Sequence, residues 1–331
     1  MIYDLIIIGS GPAGLTASIY ASRYKLSNLV IGKIVGGTIT LAHKVENFPG
    51  FSSIAGFELG QKMVEQAKGL GAEMVGEEVA RLERSHQSSV ISRQTENKNV
   101  LKAESWLLKT ETNKEFEART VIVTTGTERR KLGVPGEKEY LGKGVSYCTN
   151  CDAPFFKDKV VALIGGSNAA VGGAVHVAEF AQKVYIIYRK DELRAEPAWV
   201  EEALRNPKIE VIFNTNVTKI LGVRERVGGV ELDKEYKGNK VLPVDGVFVE
   251  IGGVPASSFL RPLRVELDEN DFVKVNEKME TNVSGLLAAG DVTTHSLIMS
   301  QAIVSCADGA IAAGSAYRYL KGQMAPKITG I

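Results

Sequence analysis

The chain has 331 residues, enough for two domains that each bury a hydrophobic core. Apolar residues make up 44% and charged residues 24%, which is the composition of a soluble globular protein. A formal net charge of +1 argues against a nucleic acid or an anionic membrane as a partner. The first apolar run has no basic flank of the kind found in signal peptides, so we expect a cytoplasmic protein.

The chain opens with a predicted nucleotide-binding unit. An apolar strand over residues 3–8 runs into the turn G-S-G-P-A-G at residues 9–14, followed by a predicted helix over 12–24 and a strand over 29–31. This β-α-β pattern within about thirty residues is the context that a dinucleotide fingerprint requires. Gly9 permits the tight bend, Gly11 lets the backbone approach a pyrophosphate, and Gly14 lets helix and strand pack closely.

One part of the usual fingerprint is missing from this unit. An acidic residue normally follows about 20 residues after the turn and binds a ribose hydroxyl. No Asp or Glu occurs between Leu5 and Val45. We therefore expect ribose contacts from the backbone or from another segment, such as Gly36-Gly37-Thr38.

A second unit of the same kind follows. Residues 73–125 alternate between apolar and polar types, which predicts antiparallel strands before the next glycine-rich turn at 165–170. The later predicted elements are strands over 160–164, 184–188, 211–213, 247–251 and 286–289, and helices over 168–181 and about 300–321. The pattern predicts an α/β fold with two Rossmann-like, three-layer ββα domains, the second inserted into the first. The predicted boundaries are 1–114 with 252–331 for the first domain and 115–251 for the second.

Cys148 and Cys151 form a C-x-x-C pair just before the second glycine-rich turn. Of three cysteines in the chain, only Cys306 lies elsewhere, and we interpret it as a buried small hydrophobic residue. A structural zinc site needs four ligands, and no histidine lies near Cys148, so no metal site is expected. The pair is interpreted as redox-active. Asp152, directly after it, is compatible with a helix N-cap.

Taken in order, these motifs resemble the low-molecular-weight thioredoxin reductases of bacteria and archaea over essentially the whole chain. The matching segments are residues 9–14, Gly36-Gly37, Val45-Glu46-Asn47-Phe48-Pro49-Gly50, Thr124-Thr125-Gly126, residues 148–152, Ala289-Gly290-Asp291-Val292 and Gln301-Ala302.

The resemblance implies a role for each of these segments. FAD is expected to contact Gly9, Gly11, Pro12, Ala13, Gly14, Gly36, Gly37, Thr38, Asn47, Thr125, Gly126, Gly290, Asp291, Gln301 and Ala302. By the same resemblance, Cys151 lies against the isoalloxazine ring and Cys148 reacts with the disulfide of a protein partner. Asp152 then acts as the acid–base group of the exchange, which fits the need for a thiolate and a nearby proton carrier.

The second turn departs from the family pattern. Ser167 stands where the second glycine is usual, and Gly172-Gly173 replace two glutamates in the following helix, which they are expected to weaken. Arginines and a lysine in residues 188–194 resemble the cluster that binds the 2′-phosphate of NADPH, although a solvated charged turn has the same composition. The expected NADPH contacts are Gly165, Gly166, Ser167, Asn168, Ala169, Arg189, Lys190 and Arg194.

Three functions remain open at this stage. The first is a homodimeric flavin-dependent reductase that takes electrons from NADPH and passes them to thioredoxin or a similar small protein. The second is the same reductase with ferredoxin or another donor, which Ser167 and Ser300, the latter at a usual arginine position, keep open. The third is a flavoprotein redox sensor without turnover. His43 and His295, near the expected flavin segments, are interpreted as structural hydrogen-bonding groups.

Overall fold

The computed structural model describes residues 1–85 and 105–322 and divides into two compact units. The first comprises Met1–Thr40, Lys44–Thr127 and Pro255–Ile331, and the second comprises Leu41–His43 and Glu128–Val254. The helices are α1 (Pro12–Arg23), α2 (Gly56–Gly69), α3 (Thr149–Asp152), α4 (Asn168–Phe180), α5 (Pro197–Arg205) and α6 (Ala302–Lys321). No helix in this described part of the chain has the length and apolar character needed to cross a bilayer.

The first six strands are β1 (Ile2–Ile8), β2 (Asn28–Ile31), β3 (Glu73–Val75), β4 (Val79–Ser85), β5 (Ser105–Thr110) and β6 (Glu115–Val123). The next are β7 (Thr127–Arg129), β8 (Val145–Ser146), β9 (Val160–Ile164), β10 (Lys183–Ile187) and β11 (Ile209–Ile212). The last are β12 (Val217–Val223), β13 (Arg226–Tyr236), β14 (Asn239–Leu242), β15 (Gly246–Val249), β16 (Gly253–Pro255) and β17 (Leu286–Ala288).

The sheet of the first unit combines parallel and antiparallel pairs. Its order is β3-β2-β1-β6-β5-β4, and β17 also pairs with β6. β1, β2, β3, β6 and β17 run parallel, whereas β4 and β5 form the antiparallel end of the sheet. The central strand β1 is buried on both faces: Leu5 and Ile7 pack with the alanines of α1 and α6, and Ile6 and Ile8 pack with Trp106 and Leu108. Burial on both faces explains why residues 5–8 of this strand are continuously apolar.

The second unit contains a parallel sheet with the order β11-β10-β9-β15-β8 and a separate antiparallel sheet, β12-β13-β14. One face of the parallel sheet packs against α4 through Val161 and Leu163, and the other packs against the antiparallel sheet through Ala162 and Ile164. The predicted α/β class with two nucleotide-binding folds is confirmed. Of the antiparallel strands expected over 73–125, β4, β5 and β6 form antiparallel pairs, whereas β3 is parallel to β2; residues 86–104 lie outside the described residues.

The division between the units differs from the expected boundaries. Residues 115–127 belong to the first unit because β6 hydrogen-bonds to β1 and β17, in the middle of the first sheet. The return connection lies at Val254 and Pro255 rather than at residue 252. β7 and β16, which carry the two connections, pair as a two-stranded ribbon, and the Arg130 amide donates to the Gly252 carbonyl at 3.0 Å.

Candidate redox site and nucleotide cleft

Cys148 and Cys151 form a disulfide in the second unit, with their Cα atoms 5.3 Å apart. Cys148 is the N-cap residue of α3, and Cys151 lies one helical turn further on, so the spacing of three residues brings the two sulfurs together. The amide of Cys151 donates a hydrogen bond to Sγ of Cys148 at 3.1 Å. Cys151 is exposed and Cys148 is half-buried. The disulfide is therefore open to attack by a thiol.

Asp152 ends α3 and directly follows the disulfide. It is the N-cap residue of a 3-10 turn over Ala153–Phe156, but its side chain makes no capping hydrogen bond. The sequence allowed this carboxylate to cap a helix. In the structure Asp152 occupies an N-cap position, but its carboxylate does not accept a capping hydrogen bond. This half-buried carboxylate next to the cysteine pair is therefore not engaged in helix capping.

Gly173 allows α3 to lie directly on α4. A Cβ at this position would be 2.9 Å from Cγ2 and 3.0 Å from Oγ1 of Thr149, the residue between the cysteines that begins α3. At Gly172 the atoms nearest to a Cβ belong to the ring of Trp199, at an ordinary contact distance of 3.5 Å. The sequence indicated that both glycines weaken the helix. The structure shows that one of them makes room for the redox segment.

A cleft of about 710 Å³ opens in the second unit at the carboxyl ends of β9, β10 and β15. Six of the eight residues expected to contact NADPH line it: Gly165, Gly166, Ser167, Arg189, Lys190 and Arg194. Asn168 and Ala169 do not. The side chain of Asn168 instead holds Glu196 through two hydrogen bonds, at 3.0 and 2.6 Å. The cleft lies where nucleotides bind in open α/β sheets.

Arg130 and Lys131 also line this cleft, and the sequence analysis did not identify them. They follow the connection β7, so they come from a segment remote in sequence from both glycine-rich turns. The carboxylate in the lining, Glu250, is buried and forms an ion pair with Arg129. Burial raises the pKa of Glu250, and Arg129 opposes that shift. The cleft therefore combines five cationic side chains with an acid whose charge is already matched.

Ser167 occupies the same backbone position as Gly11 in the first unit. Each is the N-cap residue of the helix after its turn, with φ and ψ of −90° and 177° at Ser167 and −84° and −172° at Gly11. This extended conformation does not require glycine. The side chain of Ser167 makes no capping hydrogen bond and lines the cleft. Its CH₂OH group thus stands where the fingerprint normally leaves the backbone bare.

The first unit contains a backbone cradle around its glycine-rich turn. Gly9 has φ +115°, and a Cβ there would be 2.2 Å from the carbonyl oxygen of Thr124. A Cβ on Gly37 would be 2.4 Å from Cα of Gly11, and one on Gly14 would be 2.0 Å from the Gly9 carbonyl oxygen. The segment 36–37 thus approaches the N-terminus of α1 with no side chain between them. This geometry fits the pyrophosphate of a dinucleotide, which the free amides at the helix N-terminus would bind.

Other residues expected to contact FAD pack against α1 or hydrogen-bond to neighbouring segments of the first unit. Gly290 lies against α1, since a Cβ on it would be 2.9 Å from Cβ of Ala13. The amide of Asn47 donates to the side-chain oxygen of Gln301 at 3.1 Å, and Gln301 is the N-cap residue of α6, which begins at Ala302. Thr125 donates to the carbonyl of Ala256 at 2.8 Å, beside Gly126 with φ +66°.

Four further residues complete the expected FAD set. Asp291 accepts a hydrogen bond from Ser305 at 3.2 Å, and burial raises its pKa. Pro12 is the first residue of α1, a position that suits proline because no helix hydrogen bond is lost there. Gly36 has φ +91°, and Thr38 begins the 3-10 turn Thr38–Leu41 on the exposed side of the loop.

Comparison with known proteins identifies the family. Residues 3–314 match the family model described as pyridine nucleotide-disulphide oxidoreductase. The chain belongs to this family. It is 40% identical to a thioredoxin reductase of Bacillus subtilis over 322 residues, which cover 97% of this chain and 95% of that protein.

Solved structures are similar to this oxidoreductase over nearly its whole length. A thioredoxin reductase of Lactococcus lactis has a TM-score of 0.87 at 32% identity and covers 97% of this chain and 100% of its own. A ferredoxin-flavin thioredoxin reductase of Clostridium acetobutylicum has a TM-score of 0.50 at 31% identity and covers 97% of this chain and 99% of its own. The resemblance inferred from the sequence motifs is confirmed.

Glu137, which was not singled out from the sequence, links two segments of the second unit through hydrogen bonds. Its buried carboxylate accepts hydrogen bonds from the amides of Leu132 and Gly133, both at 2.6 Å, and from the hydroxyl of Tyr147 at 2.7 Å. Burial and Glu137 together raise the pKa of Tyr147. Tyr147 precedes Cys148, so this carboxylate connects the segment lining the cleft with the cysteine segment. Gly133 and Gly136 have positive φ in the tight loop before Glu137. These two glycines were the sequence signal that could have indicated this loop.

His43, His176 and Glu179 place possible ligand atoms within 4.8 Å of one another. The two imidazole rings are stacked, with centroids 3.7 Å apart and planes only 16° from parallel. A histidine binds a metal through a lone pair in the plane of its ring. Two parallel rings at this separation cannot direct both lone pairs at one ion, so the arrangement is a stacked pair beside a carboxylate.

Alanine substitutions at the two adjacent glycines test the contact between α3 and α4. Gly172→Ala should raise the free energy of unfolding by about 1 kcal/mol, because alanine favours a helix and its methyl group fits. Gly173→Ala gains the same helix propensity but meets Thr149, and overpacking costs about 1–3 kcal/mol. We expect it to be less stable than wild type by about 1 kcal/mol in urea unfolding. Equal stabilisation by the two alanines would contradict the contact.

Proposed function

We propose that this protein is a FAD-dependent disulfide reductase that passes electrons from NADPH, through FAD and the Cys148–Cys151 pair, to thioredoxin or a thioredoxin-like protein. The observation that carries the proposal is an accessible C-x-x-C disulfide on a unit that also holds a cationic nucleotide cleft. We further propose a cytoplasmic homodimer, in keeping with the family resemblance. Size-exclusion chromatography with light scattering tests the dimer.

FAD would be held by the cradle of Gly9, Gly11, Gly14 and Gly37, together with Gly290 and Asp291. When bound, it supplies the conversion of a hydride from the nicotinamide into two electrons for a disulfide. The side chains of Cys148, Cys151 and Asp152 carry out the exchange with the partner disulfide.

The cysteines divide the exchange with the partner between them. The thiolate of Cys148 attacks the partner disulfide, forming a mixed disulfide and releasing one partner thiolate. The thiolate of Cys151 then attacks Sγ of Cys148, which restores the Cys148–Cys151 disulfide and releases the second partner thiolate. Asp152 accepts and returns the protons. The amide of Cys151 already points at Sγ of Cys148 and would stabilise negative charge there.

Substitution of single cysteines separates the reductase from a redox sensor. Cys148→Ser should lower thioredoxin reduction by more than about 10³-fold, because the attacking thiolate is lost, while bound FAD is retained. Cys306→Ala is the control: burial raises the pKa of this thiol, which takes no part in the disulfide, and turnover should be unchanged. The measurement is steady-state thioredoxin reduction with the flavin spectrum recorded in parallel. A wild-type protein that binds FAD but never turns over would support the sensor instead.

The choice of electron donor depends on the cleft. Five cationic side chains favour an anionic nucleotide, and the arginine fork of Arg189 or Arg194 suits a phosphate. Ser167 favours the second candidate, a ferredoxin-type donor, because its side chain narrows the approach to a pyrophosphate. Anaerobic titration of the FAD-loaded protein distinguishes the two. Complete bleaching of the flavin at one equivalent of NADPH supports the first, whereas bleaching by reduced ferredoxin and dithionite but not by NADPH or NADH supports the second.

Replacing Ser167 by glycine tests how the cleft treats the nucleotide. Removing the CH₂OH group should strengthen NADPH binding about fivefold, equivalent to about 1 kcal/mol, because the backbone becomes open to the pyrophosphate. Ala169→Gly is the matched control, since Ala169 lies in the same helical turn but outside the lining of the cleft. The measurement is the dissociation constant of NADPH from its fluorescence. Unchanged or weaker binding by Ser167→Gly would show that the hydroxyl does not obstruct the nucleotide.

A further inference from the structure

The carboxylate of Asp308, on α6, is fully buried in the first unit. Its Oδ2 accepts the backbone amide of Gly290 at 3.3 Å. Its Oδ1 lies 2.9 Å from Nδ1 of His295 and accepts no well-directed hydrogen bond from any residue that the structure describes. Within the described part of the chain, this acid thus relies on two neighbours, the Gly290 amide and His295.

An ionised carboxylate is costly to bury unless a charge or several hydrogen bonds compensate it. Burial raises the pKa of Asp308, while His295 and the Gly290 amide oppose that shift. The charge of Asp308 also raises the pKa of Asp291, so a second buried acid lies close by. The side chain of His295 is 42% exposed and places Nδ1 beside the buried Oδ1 of Asp308. His295 is therefore the basic group that faces a site with two acids.

The group that Asp308 fixes is the peptide of Gly290. Asp308 accepts its amide hydrogen, and its carbonyl oxygen accepts both the amide and the hydroxyl of Thr293, each at 2.9 Å. Gly290 has φ +75°, a conformation that other residues adopt only with strain. Asp291 follows, and Ser305 holds its carboxylate from one turn before Asp308 on the same helix. One face of α6 thus fixes the whole turn.

We propose that His295 is a positioning residue for the flavin site: it maintains the buried Asp308 carboxylate, which fixes the Gly290 amide and the backbone that presents Asp291. This inference rests on the proposed function, since it takes Gly290 and Asp291 as part of the FAD site. From the sequence alone, His295 has only a general structural role. The contacts assign it a specific one, because its effect passes through the charge of a single buried acid.

A double-mutant cycle over His295 and Asp308 tests the charge directly. His295→Leu should weaken FAD binding about tenfold, because the charge of Asp308 is then buried without a counter-ion. Asp308→Asn should stay within about threefold of wild type, since a side-chain amide oxygen still accepts the Gly290 amide. The double variant should recover to within about threefold of wild type, because no charge remains to be compensated. The measurement is the FAD dissociation constant of each apoprotein from the quenching of flavin fluorescence.

Two results would overturn the inference. One is unchanged FAD binding by His295→Leu, and the other is a double variant that binds FAD as weakly as His295→Leu alone. A packing role for the imidazole predicts the second result, because Asp308→Asn restores no packing. If His295→Leu does not fold, circular dichroism of the double variant decides: recovery of the fold supports the proposal, and an unfolded double variant overturns it.

The failure of this inference differs from a failure of the proposed function. A wild-type protein that binds no FAD at all would contradict both. A wild-type protein that binds FAD and reduces thioredoxin, but shows no coupling between His295 and Asp308, would contradict this inference alone.

Discussion

The first glycine of each strand-to-helix turn lies against the backbone of a neighbouring strand. A Cβ on Gly9 would be 2.2 Å from the carbonyl oxygen of Thr124, and one on Gly165 would be 2.2 Å from the carbonyl oxygen of Glu250. Only a residue without a side chain permits this approach, and both glycines also need positive φ. The contact sets the direction in which α1 and α4 leave their sheets. The cradle of the first unit and the cleft of the second both depend on it.

The two units share this contact but differ at the next position of the turn. Gly11 and Ser167 have nearly the same backbone conformation, so one added side chain separates a bare helix N-terminus from a partly covered one. Solved structures that match this chain over nearly its whole length include a thioredoxin reductase and a ferredoxin-flavin thioredoxin reductase. A change of electron donor therefore does not require a change of fold.

Much of this structure could be predicted from local sequence patterns. The β-branched run of β1, the glycines at 9, 11 and 14, and the Cys148–Cys151 spacing all act over a few residues, and the fold and the disulfide followed from them. The unit boundary did not, because the place of β6 depends on pairing with β1 and β17, far away in sequence. The role of Gly173 depends in the same way on Thr149, on another helix. Arg130 and Lys131 reach the cleft only through the course of the chain after β7.

The pairing of β7 with β16 places the two ends of the inserted segment side by side. A segment whose termini adjoin can be removed from its host, or joined end to end, without stretching the chain. Residues 128–254 bring their own parallel sheet, their own hydrophobic clusters and the complete cysteine pair. The architecture is thus that of a cassette, which gene fusion or recombination could transfer between hosts together with its cysteine pair.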